Sequence, residues 1–453
     1  MAKLVRSDTY TSTTFQAPQI DLERKRQTVV IIGGGVGGCC TALELARTGK
    51  FNIHLLEKNH ELMRETSDAT PGRLGLGFHY ADKNTALYYL HVTLDFIRSY
   101  GNFRQEIGRQ QSHPLRRGRY FIMKDSAVPC RDILETFEAI KEEYTKMVKE
   151  DPSYEVVGPP EDIFRILEPH EFQADVDIRK IEMGIETAEE LLDWGRLREY
   201  IIHQLEQNRD SVKVRRNTKA FSAVTHECGG YVVDALNIFQ GNVVRISTDV
   251  IVNASWYNIT KFNKMLGVTN ARKRCNRIKA IATVRLPEEL ADMPSMFFCM
   301  GPFGMFSNKG DRIGMTTYAP ETNIAVTSSS GELEPEFSHM YFKFPEREKN
   351  LKGQRIVAGI SNFIPHLRKA EVLKVNVGIV QTFMNEDTID HGFQIGNLGF
   401  IHDPTKGGIH KRNYSGVEEP MPGYIINACM KLIYCFDNAK LVKDIILRSL
   451  SCK

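Results

Sequence analysis

VVIIGGGVGGCCTALELARTGKFNIHLLE, Val29 to Glu57, decides the fold. Val29–Ile32 is an apolar, β-branched run, and glycines follow it directly. Gly33, Gly35 and Gly38 form G-x-G-x-x-G, the spacing of a strand–turn–helix that holds a dinucleotide. Gly33 lets the strand turn sharply. Gly35 lets the backbone approach a pyrophosphate, and Gly38 lets the helix pack close to the sheet. Val36 opens that helix, whose free N–H groups and positive dipole end face the phosphates. Ala42, Leu45 and Ala46 continue an apolar helical face, and Gly49 stands where a helix stops. Ile53 and Leu55 alternate as a second strand does. Glu57 ends it, placed to accept hydrogen bonds from both ribose hydroxyls of an adenosine, with Lys58 beside it. A carboxylate there repels a 2′-phosphate, which argues against NADP. The motif by itself suits FAD and NAD alike.

Composition bounds the rest. A chain of 453 residues suggests about two domains. The net charge of +3 is small and its basic residues are dispersed, so no nucleic-acid partner is expected. No apolar run reaches the ~20 residues of a membrane span. Residues 1–27 are polar and lack a secretory core. They read as a disordered or loosely packed extension, and Asp8, Asp21 and Glu23 count against organelle targeting. The 9 cysteines form no C-x-x-C pair. Free thiols in a reducing, cytoplasmic setting are expected, without a zinc or other metal site.

Apolar spacing predicts helices over Asn84–Tyr100 and Asp132–Lys149. A third helix is expected from a capping box, Thr187-x-x-Glu190, carrying Leu191, Leu197, Tyr200, Ile201 and Leu205. The period then changes. Val212–Arg216, Tyr231–Ala235, Val243–Ile246 and Val250–Val252 read as strands. Arg277 to Phe344 suggests a separate antiparallel sheet, Gly396 to Tyr424 loops, and Asn438 to Leu450 a closing helix.

Four segments, in order, resemble the FAD-dependent oxidoreductases that include D-amino acid oxidase, glycerol-3-phosphate dehydrogenase and L-2-hydroxyglutarate dehydrogenase. The first is the glycine motif. The second, GRLGLGFH (Gly72–His79), is similar to the G-R-N-S-G-x-I-H loop of the hydroxyglutarate enzymes, which passes beside the flavin ring. The third, TDVIVNAS (Thr248–Ser255), is similar to A-D-x-V-V-N-A-x-G. The fourth, GYIINACMKLIYCFDNA (Gly423–Ala439), is similar to G-L-I-x-x-x-G-G-K-x-T-T-Y-R-x-x-A. The resemblance implies an α/β fold: a discontinuous Rossmann-like FAD-binding domain with an inserted α+β substrate domain on an antiparallel sheet. The FAD-binding domain is expected over 28–115, 185–270 and 400–453, the substrate domain over 116–184 and 271–399. The implied FAD-binding residues are Gly33, Gly35, Val36, Gly38, Glu57, Lys58, Arg73, Ala220, Ala254, Met430, Lys431 and Leu432.

Three departures stand out. Ser255 and Trp256 occupy a place that is usually glycine. Ala428 and Cys429 replace the two glycines before Lys431. GIVQ, Gly378–Gln381, lies where the family has G-x-R-P, so Val380 takes the place of an arginine that often binds a substrate anion.

Flavin chemistry asks the protein to hold the ring, to stabilise its reduced charge and to orient the substrate. Lys431 suits the second task, since a cation favours the reduced anion. His79 suits a base beside the ring or a covalent attachment to it; a structural hydrogen bond is the competing reading. Arg73 and Arg412 could grip a carboxylate through a guanidinium fork, with Tyr414 assisting. HKRNYSG (His410–Gly416) resembles the S-R-D-H turn of the family's substrate pocket. The expected activity is oxidation of a C–N or C–O bond in a small, amino- or hydroxy-acid type metabolite. A non-catalytic flavin-binding relative and an NAD-dependent dehydrogenase remain the alternatives at this point.

Overall fold

A computed structural model describes residues 26–106, 118–272, 274–327, 333, 335–383, 394–395 and 413–451. A six-stranded sheet runs in the order Val417–Met421, Tyr424–Asn427, Val250–Asn253, Gln27–Ile32, Phe51–Leu56, Val212–Arg215. All neighbours are parallel except the first pair. Val29, Val30 and Ile31 are fully buried, as in a parallel strand covered on both faces. That explains why the run is continuously apolar rather than alternating. The helix Val36–Ala46 packs against the helices Cys435–Ser451 and Trp194–Gln207. Its small residues Cys39, Cys40 and Ala42 are buried there and allow the close approach.

An antiparallel three-stranded sheet, Thr218–Thr225, Tyr231–Asn237 and Val243–Thr248, flanks this layer. A second large sheet has ten strands and a core of its own. Its long strand Arg274–Arg285 pairs with Glu371–Phe383, and with Ile313–Tyr318 and Asn323–Thr327 on its other edge. The helix Glu346–Ile360 covers one face, over Ile278, Ala280, Ala282 and Val284. This sheet is mixed: Met296–Cys299 runs parallel to Arg119–Met123. Its described strands come from 119–187 and 274–395, whereas those of the six-stranded sheet come from 27–56, 212–253 and 417–427.

Several local expectations need correction. Thr187 ends the strand Ile181–Thr187, and Glu190–Leu191 is a short strand paired with Arg73–Leu74. The helix starts at Trp194, where the Asp193 carboxylate accepts from the Arg196 N–H. The apolar spacing of the helix was legible, but the cap in use, Asp193, lies six residues beyond Thr187. Val417–Met421, inside the expected loop region, is a strand, and so is the unassigned Thr218–Thr225. The other helices run longer than expected, over Lys83–Glu106, Cys130–Glu150 and Cys435–Ser451.

Candidate active site

The glycines stand as the motif requires. Gly33 has φ +109°, and a Cβ on it would lie 2.5 Å from the Ala254 carbonyl oxygen. A Cβ on Gly38 would lie 2.0 Å from the Gly33 carbonyl oxygen, so only glycine lets helix and strand meet. Gly35 differs: the one atom within 4 Å of its added Cβ is Ser67 Oγ, at 3.6 Å. The open space in front of Gly35 belongs to a cavity of about 530 Å³, a volume in the range of small-molecule sites.

Glu57 lines that cavity and is 7% exposed. Its carboxylate accepts from the Gly34 and Asn59 N–H groups, each at 2.8 Å. A carboxylate offers about four acceptor sites, so it retains capacity for a ligand's hydroxyls. Burial pushes its pKa up, against the two backbone hydrogen bonds that lower it. Lys58 also lines the cavity, where its ammonium pairs with Glu65 at 2.6 Å and lies over the Tyr257 ring. Ala220 and Ala254 line the same space. Val36 lines it too, and its N–H donates to Ser67 Oγ. Gly38 serves the packing behind it.

The loop Gly72–His79 forms the middle wall. Arg73 donates to Glu189 at 2.8 Å, and its guanidinium lies against the neighbouring rings of Tyr120 and Phe297, 4.9 and 4.8 Å from their centres. Glu189 also accepts from the Tyr120 hydroxyl and the Leu76 N–H, each at 2.7 Å. Burial alone pulls the Arg73 pKa down, but Tyr120 and Glu189 outweigh it and the net shift is upward. Arg73 is thus a fixed cation in the cavity wall. His79 lines the cavity edge-on to Phe297, with ring centres 4.4 Å apart.

Met430, Lys431 and Leu432 line the far end. Lys431 precedes the turn Leu432–Tyr434 and the helix Cys435–Ser451, and its ammonium lies 5.5 Å from the Tyr89 ring centre. Cys429, on the place of a family glycine, has φ +32°. Trp256, likewise on a glycine place, has φ +58°, and its indole donates to the Ile379 carbonyl at 2.8 Å. Both turns keep a left-handed backbone without glycine, which costs of order 1–3 kcal/mol each.

Arg412 lies outside the described residues. Tyr414 is not brought to the cavity: its hydroxyl donates to the Val417 carbonyl at 2.5 Å, and Arg272 stacks on its ring. Sequence reading missed Glu189, Tyr120 and Phe297, which form the wall around Arg73. It also missed the cavity-lining Arg277 and Lys279, although strand alternation places both on one face. Among the described residues, no helix is long and apolar enough to cross a membrane.

A glycine cradle on a parallel sheet, opening into a cavity beneath a second sheet, defines a dinucleotide-binding oxidoreductase fold. The chain belongs to the DAO family of FAD dependent oxidoreductases, whose match covers residues 28–428. FAD is therefore its cofactor, which decides between FAD and NAD. The glycerol 3-phosphate oxidase of Mycoplasma pneumoniae is 49% identical over 49 residues, 11% of this chain and 12% of that protein. Among solved structures, L-amino acid deaminase from Proteus vulgaris superposes with TM-score 0.63 at 13% identity, covering 94% of both chains. L-proline dehydrogenase from P. horikoshii gives 0.59 at 13% identity, over 93% of this chain and 94% of its own. L-α-glycerophosphate oxidase from Mycoplasma pneumoniae, with FAD bound, gives 0.55 at 16% identity, over 94% and 95%. At these identities the structures share the fold.

Proposed function

We propose that this enzyme oxidises a C–N or C–O bond of a small, anionic metabolite of amino- or hydroxy-acid type. FAD, when bound, supplies the hydride acceptor at flavin N5. One observation carries the reading: a single cavity joins the Gly35 cradle and Glu57 to Arg73, His79, Lys431 and the face of the large sheet. Gly33, Gly35, Val36, Glu57, Lys58, Ala220 and Ala254 hold the nucleotide half. Met430, Lys431 and Leu432 support the ring, with the Lys431 cation favouring its reduced, negative form. His79 takes the substrate proton at its imidazole. Arg73, fixed by Glu189, walls the space and keeps it positive. The separation of strands between the sheets supports an FAD-binding domain over 28–115, 185–270 and 400–453, and a substrate domain over 116–184 and 271–399. Residues up to Thr187 belong to the large sheet, so the boundary lies slightly later, after Thr187. The similarity to amino-acid and glycerophosphate enzymes supports the substrate class.

The test is anaerobic mixing of the yellow holoenzyme with amino acids, hydroxy acids and glycerol phosphates. Bleaching by at least one compound is expected. A flavin that dithionite reduces but none of these compounds bleaches would overturn the reading.

Lys431→Met is expected to lower the reduction potential by about 30–65 mV, from the loss of an interaction of roughly 1.5–3 kcal/mol. An unchanged potential in a dye-coupled titration would place the ammonium away from the ring. His79→Ala is expected to slow flavin reduction by the bleaching substrate about 100-fold or more, with FAD content retained. Acid-denatured wild-type protein that keeps its colour would instead show a covalent link, and its loss in His79→Ala would make His79 the attachment point. Normal reduction kinetics with free flavin on denaturation would leave His79 a purely structural role.

A further inference from the structure

The three-stranded sheet carries an apolar surface that the cavity does not use. Its inner face packs on the core through Ala223, Val233, Ala235 and Ile246. Alternation turns the other face to solvent, where an antiparallel sheet is ordinarily polar. Here that face exposes Val224, Leu236 and Val243, and Leu236 lies directly opposite Val243. Phe221, skipped by the register beside Asp234, is exposed as well. Beyond Leu236 the hairpin ends in Ile238 and Phe239, 53% and 89% exposed. Nearly half of the large exposed apolar side chains among the described residues thus fall within Phe221–Val243. Single exposed apolar residues are ordinary, whereas a contiguous group marks a contact surface.

The backbone of the tip is suited to leaving water. The Asn237 side-chain oxygen accepts from the Phe239 and Gln240 N–H groups at 3.1 and 2.9 Å. The Gly241 N–H donates to the Asn237 carbonyl, the Asn237 N–H to the Asn242 carbonyl, and the Ile238 N–H to the Asn217 carbonyl. Every backbone N–H from Asn237 to Gly241 is therefore bonded within the protein, which is what apolar surroundings demand of a backbone. The hydrogen bond to Asn217 seats the tip on the turn between Val212–Arg215 and Thr218–Thr225. Arg216 and Lys219 flank that turn, both are exposed, and Lys219 lies directly opposite Leu236. From Ser211 to His226 the chain holds no acid, and from Ala235 to Val244 no charge of either sign. Glu206 lies 3.8 Å from Arg216, and Asp234 holds Arg245 at 2.8 Å, so both of these acids have a cation against them.

We infer that this hairpin docks the enzyme on an anionic lipid bilayer, with Ile238 and Phe239 entering one leaflet and Arg216 and Lys219 resting at its headgroups. A projecting apolar knob needs a matching hollow in a protein partner, whereas a fluid bilayer interface accepts it as it stands. Apolar burial and attraction to anionic lipid add, so neither has to hold the protein alone. The contact is peripheral. Ile238 and Phe239 are not among the residues that line the cavity, so the docked enzyme keeps its flavin site intact.

The experiment sediments holoenzyme with vesicles of phosphatidylcholine alone and of equal parts phosphatidylcholine and phosphatidylserine, reading the flavin absorbance in the pellet. Binding is expected to the anionic vesicles and is expected to weaken with added salt. Phe239→Ser is expected to lower the affinity about tenfold or more, and Arg216→Gln about fivefold, with FAD content unchanged in both. Phe239 is exposed, so its replacement leaves the fold in place. Phe239→Trp is expected to keep the binding, and its added fluorescence to shift to the blue on anionic vesicles, as for an indole leaving water. Wild-type protein that stays in the supernatant with both vesicles overturns the inference. So does a Phe239→Ser variant that binds as well as wild type, which would leave charge attraction alone. A wild-type dimer that Phe239→Ser dissociates, with no binding to either vesicle, would assign the hairpin to a second copy of the chain and overturn the inference too.

Discussion

Glu189→Ala is expected to destabilise the folded chain by about 3–5 kcal/mol, the cost of breaking a buried ion pair by removing one partner. Glu189 is 2% exposed and holds a guanidinium, a phenol and a backbone N–H. Without it, Arg73 stays against two aromatic rings with no carboxylate, and the Tyr120 hydroxyl loses its acceptor. Denaturant unfolding of the apoprotein measures the loss. Glu189→Gln keeps acceptor oxygen but not charge, and is expected to fall between wild type and alanine. Pairing Glu189→Ala with Arg73→Met removes both charges and is expected to recover part of the loss, since an ion pair replaced by apolar groups is often neutral. A loss below about 1 kcal/mol would show that water already solvates the guanidinium from the cavity.

Glu189 also marks where sequence reading stops. The nucleotide half was legible because its determinants are local: an apolar run, fixed glycine spacing and an acid at the end of the next strand. The space around Gly33 and Gly38 admits no side chain, and that around Gly35 is open. The Arg73–Glu189 contact joins residues 116 positions apart, and nothing periodic in the chain announces it. The nearby Thr187-x-x-Glu190 pattern even suggested a helix start, whereas the backbone there forms short strands and turns Glu189 towards Arg73. Local propensity was overridden by a buried partner. Arg277 and Lys279 were legible in principle through strand alternation. Without the partner strand, however, alternation does not say which face meets the cavity. Trp256 and Cys429 show the converse limit. Both stand on places that are glycine in the resembling motifs, and nothing in their side chains announces the left-handed backbone they take. For Trp256, the indole hydrogen bond to Ile379 helps hold that conformation.

Glu57→Ala is expected to weaken FAD binding about 10- to 150-fold, the equivalent of roughly 1.5–3 kcal/mol in charge-assisted hydrogen bonds. The effect has two sources. The ribose hydroxyls lose their acceptor, and the Gly34 and Asn59 N–H groups, each bonded to the carboxylate at 2.8 Å, lose theirs at the entrance to the cradle. The pH dependence follows from the direction of the shift. Burial raises the Glu57 pKa above its ordinary value, so the folded apoprotein favours the neutral acid more than an exposed glutamate does. In the proposed ribose site, binding uses the carboxylate. FAD affinity should therefore be full at neutral pH and fall as pH drops through the raised pKa, beginning less acid than an ordinary carboxylate would dictate. The alanine variant has no such group, so its affinity should be low throughout and lack that acid limb. FAD fluorescence released on dilution, measured from neutral to mildly acid pH, reads both effects. Unchanged occupancy in the variant would remove Glu57 from the ribose site. A variant that is weaker but keeps the wild-type acid limb would assign the pH dependence to another group and leave Glu57 a role in shaping the loop alone.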